Sequence, residues 1–95
     1  MEEDIPLLPI PNQTFKFKDY DITIQLRGNG YYFTLKQGNN ILVNALFIKP
    51  NNNLFIYNNK NGDVFAFYTL NDEALDYTKF NTTQSFYFIQ GYLND

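Results

Sequence analysis

The stretch Tyr20-Asp21-Ile22-Thr23-Ile24-Gln25-Leu26-Arg27-Gly28-Asn29-Gly30-Tyr31-Tyr32-Phe33-Thr34-Leu35 decides the fold class. Tyr20, Ile22, Ile24 and Leu26 alternate with Asp21, Thr23, Gln25 and Arg27. A strict period of two puts the first set on the buried face of a strand and the second on its wet face. Gly28-Asn29-Gly30 then supplies residues that accept the positive φ of a tight hairpin turn. Residues 31–37 return with Tyr31, Phe33 and Leu35 inward and Tyr32, Thr34 and Lys36 outward. The pattern predicts an antiparallel hairpin with one apolar face.

Working outward, residues 13–18 read as a short first strand turned at Lys18-Asp19, with Phe15 and Phe17 inward and Lys16 and Lys18 outward. Gly38-Asn39-Asn40 marks a further turn. Residues 41–49 differ, because Ile41, Val43, Ala45 and Phe47 fill one face while Leu42, Leu46 and Ile48 fill the other, interrupted only by Asn44. A strand apolar on both faces is expected to be covered on both, here by the N-terminal arm or by a neighbouring chain. Pro50 ends it, since proline cannot donate to a ladder. Residues 54–57 and 64–70 form a hairpin around residues 58–62, with Asn61-Gly62 at its tip. Residues 71–76 are the one helical candidate, with Asn71 as cap and acids in the first turn. Residues 85–89 make the last strand. About seven short strands joined by hairpins predict an all-β fold, a small antiparallel barrel or sandwich. It is a single domain over residues 1–95: an extended arm at 1–12, the β-domain at 13–89 and a polar tail at 90–95.

Ninety-five residues allow one modest core. Eight Tyr and ten Phe without a Trp favour pleated, half-buried surfaces. Fourteen Asn cluster at 39–40, 51–53 and 58–59, where they punctuate the chain as turn residues. The net charge of −3, with only seven Lys and Arg, argues against nucleic acid, whose binders neutralise phosphates with cations. Phe15-Lys16-Phe17-Lys18 therefore reads as an amphipathic strand. Cysteine and histidine are absent, which removes thiolate chemistry, the usual triads and the usual transition-metal sites. Asp72, Glu73 and Asp76 do not match a calcium loop, Gly28-x-Gly30 precedes no helix that would make it a phosphate loop, and no acid pair sits in a glycosidase-like motif. The expectation is a protein that is not an enzyme, with no metal and no cofactor. Tyr31-Tyr32 beside the Gly28 turn is the best local candidate for a sugar-stacking platform, against the ordinary reading of an aromatic core with one tyrosine turned outward. A stand-alone carbohydrate- or peptide-binding β-module therefore stays open as the alternative function. The acidic start, Met1-Glu2-Glu3-Asp4, and the lack of any apolar run near ~20 residues predict neither a secretory signal nor a membrane span.

The arm reads Ile5-Pro6-Leu7-Leu8-Pro9-Ile10-Pro11-Asn12-Gln13-Thr14-Phe15. Each proline fixes its own φ, lacks an N–H and pushes the preceding residue toward extended geometry. The result is a polyproline-like ribbon with few hydrogen bonds of its own, which must be held by packing. Ile5, Pro6, Leu7, Leu8, Pro9, Ile10 and Pro11 are the candidate partner-binding residues, with Ile5, Leu7, Leu8 and Ile10 as apolar anchors. Whether they pack on this domain or on another subunit is left open by the sequence.

This opening, followed by a short strand, a turn and a clean amphipathic strand, resembles that of the phage baseplate plug family, small all-β proteins of contractile tails. The resemblance continues through residues 43–50 to Leu54-Phe55 and on to the last strand, covering residues 5–89. Where the family carries a glycine-rich turn before the Leu-Phe pair, this chain has Asn51-Asn52-Asn53, and Asn also tolerates left-handed backbone angles. The resemblance implies a structural, plug-like virion subunit at the central hub of the baseplate. It would join hub, wedge or tube-proximal neighbours, be present in multiple copies, and assemble in the bacterial host cytoplasm, without nucleic acid or direct membrane contact. Function would then reside in binding geometry, with pre-extended prolines lowering the entropy lost on docking.

Overall fold

The computed structural model describes residues 2–51, 53–55 and 63–90. They form β1 (Glu2–Ile5), β2 (Gln13–Phe17), β3 (Tyr20–Arg27), β4 (Gly30–Gln37), β5 (Asn40–Phe47), β6 (Asn53–Phe55), β7 (Val64–Thr69) and β8 (Gln84–Ile89). One antiparallel sheet runs β2-β3-β4-β5 in chain order, and the other runs β1-β8-β7-β6. The fold is thus all-β as the alternating pattern predicts, and of the barrel and sandwich it left open the chain forms the sandwich. The strand it does not anticipate is β1, which pairs with β8 from Glu2↔Ile89 to Ile5↔Phe86.

Turn chemistry sets the registers of the first sheet. Arg27 pairs with Gly30 and Gln37 with Asn40, leaving two-residue turns that begin at Gly28 and Gly38. Both glycines have positive φ, 53° and 60°, and a Cβ at either would meet no neighbour. Backbone conformation, not crowding, is therefore what selects glycine there. The proposed Asn61-Gly62 turn, Tyr57 and residues 91–95 lie outside the described residues.

Between the sheets, Tyr20, Ile22 and Ile24 of β3 and Tyr31, Phe33 and Leu35 of β4 face Phe65 and Phe67 of β7 and Phe86 and Phe88 of β8, all buried. Their rings interlock both across the layers and, for Phe67 and Phe86, between neighbouring strands of one sheet. Phe33 lies 5.5 Å from Phe65, Phe17 lies 5.3 Å from Phe88, and Phe67 stacks on Phe86 at 4.6 Å. Such pairs add about 0.5–1.5 kcal/mol each beyond their burial. Among the described residues, every buried side-chain nitrogen and oxygen has a hydrogen-bond partner.

Two expectations are corrected. The apolar strand β5 is not covered on both faces: Ile41, Leu46 and Phe47 are exposed, and only Val43 within it is buried. It is the edge strand of its sheet, its register with β4 shifts twice, and Ala45 carries a φ of 50°. The arm meanwhile joins the opposite sheet. Residues 71–76 do not form a helix either. A single 3₁₀ turn, Leu70–Asp72, contains left-handed Asn71 and Asp72, and the chain is extended by Glu73. Consecutive left-handed residues cannot propagate a right-handed helix. A second 3₁₀ turn, Tyr77–Lys79, is capped by Asp76, whose side chain accepts from the Thr78 N–H.

Candidate partner-binding surface

The arm leaves β1 at Ile5 and reaches β2 through residues 6–12. Two side-chain amides hold it. Asn81 accepts the Leu7 N–H at 3.0 Å and donates back to the Leu7 carbonyl, extending the β1–β8 ladder by one rung. Gln13 accepts the Leu8 N–H at 3.0 Å and donates to the Leu8 and Ile10 carbonyls, at 2.9 and 3.5 Å. A primary amide carries donor and acceptor side by side, so it can serve backbone that prolines have left without ladder partners. The arm is therefore held by hydrogen bonds as well as by packing.

These clamps divide the arm. Ile5 and Leu7 enter this chain's own core at 3% and 5% exposure. Leu8 and Ile10 face outward at 60% and 39%. Pro6 and Pro9 are exposed and Pro11 is half-buried. An apolar groove lined by Ile5, Leu7, Leu8, Phe15 and Phe17 runs beside the arm. The arm's turn is tied to the β3–β4 end of the sandwich, because Asn12 accepts the Leu26 N–H at 2.9 Å.

The same end of β5 carries a second apolar group. Phe47 lies opposite Tyr32, edge to face at 5.6 Å, and Arg27 sits over the Tyr32 ring at 5.7 Å. The Phe47 ring rests on Gly30, where any Cβ would overlap it. Phe47 is nevertheless half exposed. It is seated from below and open from above.

Tyr31 and Tyr32 have separate fates. Tyr31 is buried and its hydroxyl accepts the Tyr77 N–H at 2.9 Å. Burial pushes its phenol above the usual range, outweighing that hydrogen bond. Its ring is core and is not available for stacking on a sugar. The acids of the 73–76 loop are likewise committed. Buried Gln84 donates to Ala74 and accepts from Asp76, both at 2.8 Å, and fixes the loop. Glu73 pairs with Lys79 at 3.0 Å and accepts from Thr83, and these bonds, Lys79 first, hold its carboxyl below the ordinary range. Among the described residues, no group of three or more acids, Cys or His gathers at metal-binding distance.

Sequence reading names the arm but misses its clamps. The signal for Gln13 is its parity: it shares a strand face with Phe15 and Phe17, and an amide on an inward face must find partners. No comparable periodicity marks Asn81, which lies in a turn with a φ of 67°.

A family profile described as Cyanophage baseplate Pam3 plug gp18 matches residues 3–91. The chain belongs to the cyanophage baseplate plug family. The match opens inside β1 and runs beyond β8, so the arm lies within the family's domain. Membership makes this chain a structural protein of a phage baseplate, located in the virion tail and in contact with other baseplate proteins. Asn51 has a φ of 63°. Its side-chain amide bridges the backbone N–H and carbonyl of Thr69, at 3.0 and 3.3 Å, which a glycine could not do. A comparison with curated proteins gave no match.

Proposed function

We propose that this baseplate plug packs at the central hub of a contractile tail and joins its neighbours there through the turn of the arm. Hub, wedge or tube-proximal subunits are the partners, met by several copies after assembly in the host cytoplasm, without nucleic acid or membrane. The observation that carries this reading is the exposed pair Leu8 and Ile10 on a backbone already fixed by Gln13. An apolar contact on a fixed scaffold loses little conformational freedom on docking, so more of its burial survives as affinity. Phe47, seated on Gly30 at the same end, supplies an aromatic anchor of the kind enriched at interface centres.

The test is a double variant, Leu8→Asp with Ile10→Asp. Both positions are exposed, so stability should change by no more than about 1 kcal/mol. Incorporation into tails, followed by the subunit content of purified particles, should be lost. Normal incorporation of this variant would remove the arm turn from the interface.

A further inference from the structure

The strand that completes the second sheet is built so that it can be supplied by another chain. Among the described residues β1 pairs only with β8, and its seat consists of the β8 edge, the pockets for Ile5 and Leu7, and the Asn81 amide. None of these features requires the arm to be covalently attached to the body it fills. Addition of an extended segment to a sheet edge is a general mode of association, with main-chain pairing for affinity and alternate pockets for specificity.

The connection explains what keeps the arm at home. Residues 6–12 are seven residues, three of them proline. At the polyproline rise of ~3.1 Å per residue they prefer to span about 20 Å, whereas stacked sheets lie only about 10 Å apart. An arm at its preferred extension would reach about twice the usual spacing of stacked sheets. In the closed chain the connection bends through residues 9–12, and the Gln13 side chain staples the bend through Leu8 and Ile10.

We propose that residues 2–7 exchange between copies of this chain, each arm completing the second sheet of a neighbour, with the Gln13 amide as the latch of the closed form. The contacts of β1, Ile5 and Leu7 are the same in both forms, so the balance rests on the latch and on concentration. A short tether gives the arm an effective concentration on the order of 1 mM at its own seat. Chains free at micromolar concentration therefore stay closed, while copies held side by side reach the regime where arms trade. The exchange does not rest on the docking role of Leu8 and Ile10, and purified protein suffices to test it.

The chain has no cysteine, which makes cross-linking clean. Asp4 and Tyr87 are directly paired across β1 and β8, and directly paired residues of antiparallel strands lie within the span of a disulfide. Asp4→Cys and Tyr87→Cys are placed in separate chains, mixed at about 1 mM, unfolded, refolded and oxidised. The mixed dimer should exceed the two homodimers together, which is the share that random pairing of equal amounts would give it. It should fall when Ser85→Cys, out of register, replaces Tyr87→Cys, and rise when Gln13→Ala is added to both chains. As a control, one chain carrying both Asp4→Cys and Tyr87→Cys should form an internal link at micromolar concentration, which certifies the fold. A statistical mixture of dimers, or no mixed dimer at about 1 mM while the control still links internally, overturns the exchange.

Discussion

Strands β5 and β7 both carry apolar residues on both faces, and their environments are opposite. In β7, Val64, Phe65, Ala66 and Phe67 are all buried, at 0 to 1% exposure. In β5, Ile41 and Phe47 stand at 58% and 50%. β7 lies between β8 and β6, whereas among the described residues β5 has a strand partner only in β4. Apolar composition thus says that a surface seeks cover; the position of the strand in its sheet says whether the chain provides it. The arm repeats the contrast within a few residues, with Ile5 and Leu7 covered and Leu8 and Ile10 not. An uncovered apolar residue in a protein built to be assembled is most economically read as a contact for a neighbour.

The largest effect should come from removing residues 1–11. Ile5 and Leu7 alone represent ~3–6 kcal/mol of side-chain burial, against a total stability of about 5–15 kcal/mol for a domain. The truncated chain should unfold near room temperature or fail to fold, as read by circular dichroism melting. Near-wild-type melting would place the arm with the uncovered residues instead. Next, Phe67→Ala on β7 should cost about 3–5 kcal/mol, read from the chemical denaturation midpoint. On β5, Phe47→Ala should cost no more than ~1 kcal/mol yet reduce incorporation into tails. A large stability loss there would mean that Gly30 and Tyr32 already satisfy the ring.

Smaller still is the pH effect of Tyr31, the covered member of its tyrosine pair. Its phenol is raised in the fold, so its contribution is complete below the unfolded phenol value of about 10 and is lost as pH rises through the higher folded value. Alkaline titration followed by phenolate absorbance should show a late step, linked to unfolding, to which Tyr31 contributes. In Tyr31→Phe that step should shrink by one phenol.

The first sheet was legible because each cue is local. Alternation from Tyr20 to Leu35 and the glycines at the first turn positions fix faces and register without reference to distant chain. β1 was not, since Glu2, Glu3 and Asp4 disfavour a strand on their own and become one only by pairing with β8. Glu3 is accommodated by Lys18, 3.3 Å away, a partner that only the stacking of the two sheets provides. Residues 71–76 misled because a cap signal followed by acids suits a helix start equally well when Asn71 turns left-handed. For the candidate surface, the arm's identity was visible in its prolines. The split between Leu7 and Leu8 was not, because it depends on Asn81 and Gln13 gripping neighbouring residues.

The pairing of Glu2 with Ile89 also bears on the order in which the chain folds. The β3–β4 hairpin closes over a two-residue turn, an event of about 1–10 μs. β1 has no such near partner. It leaves the ribosome before β8, and its edge does not exist until β8 has been synthesised, roughly 4–17 s later at about 5–20 residues per second. Of the described strands, the first made is thus the one that waits longest for its partner. During translation, Ile5 and Leu7 belong to an unprotected segment whose fate is settled only after β8 has been made.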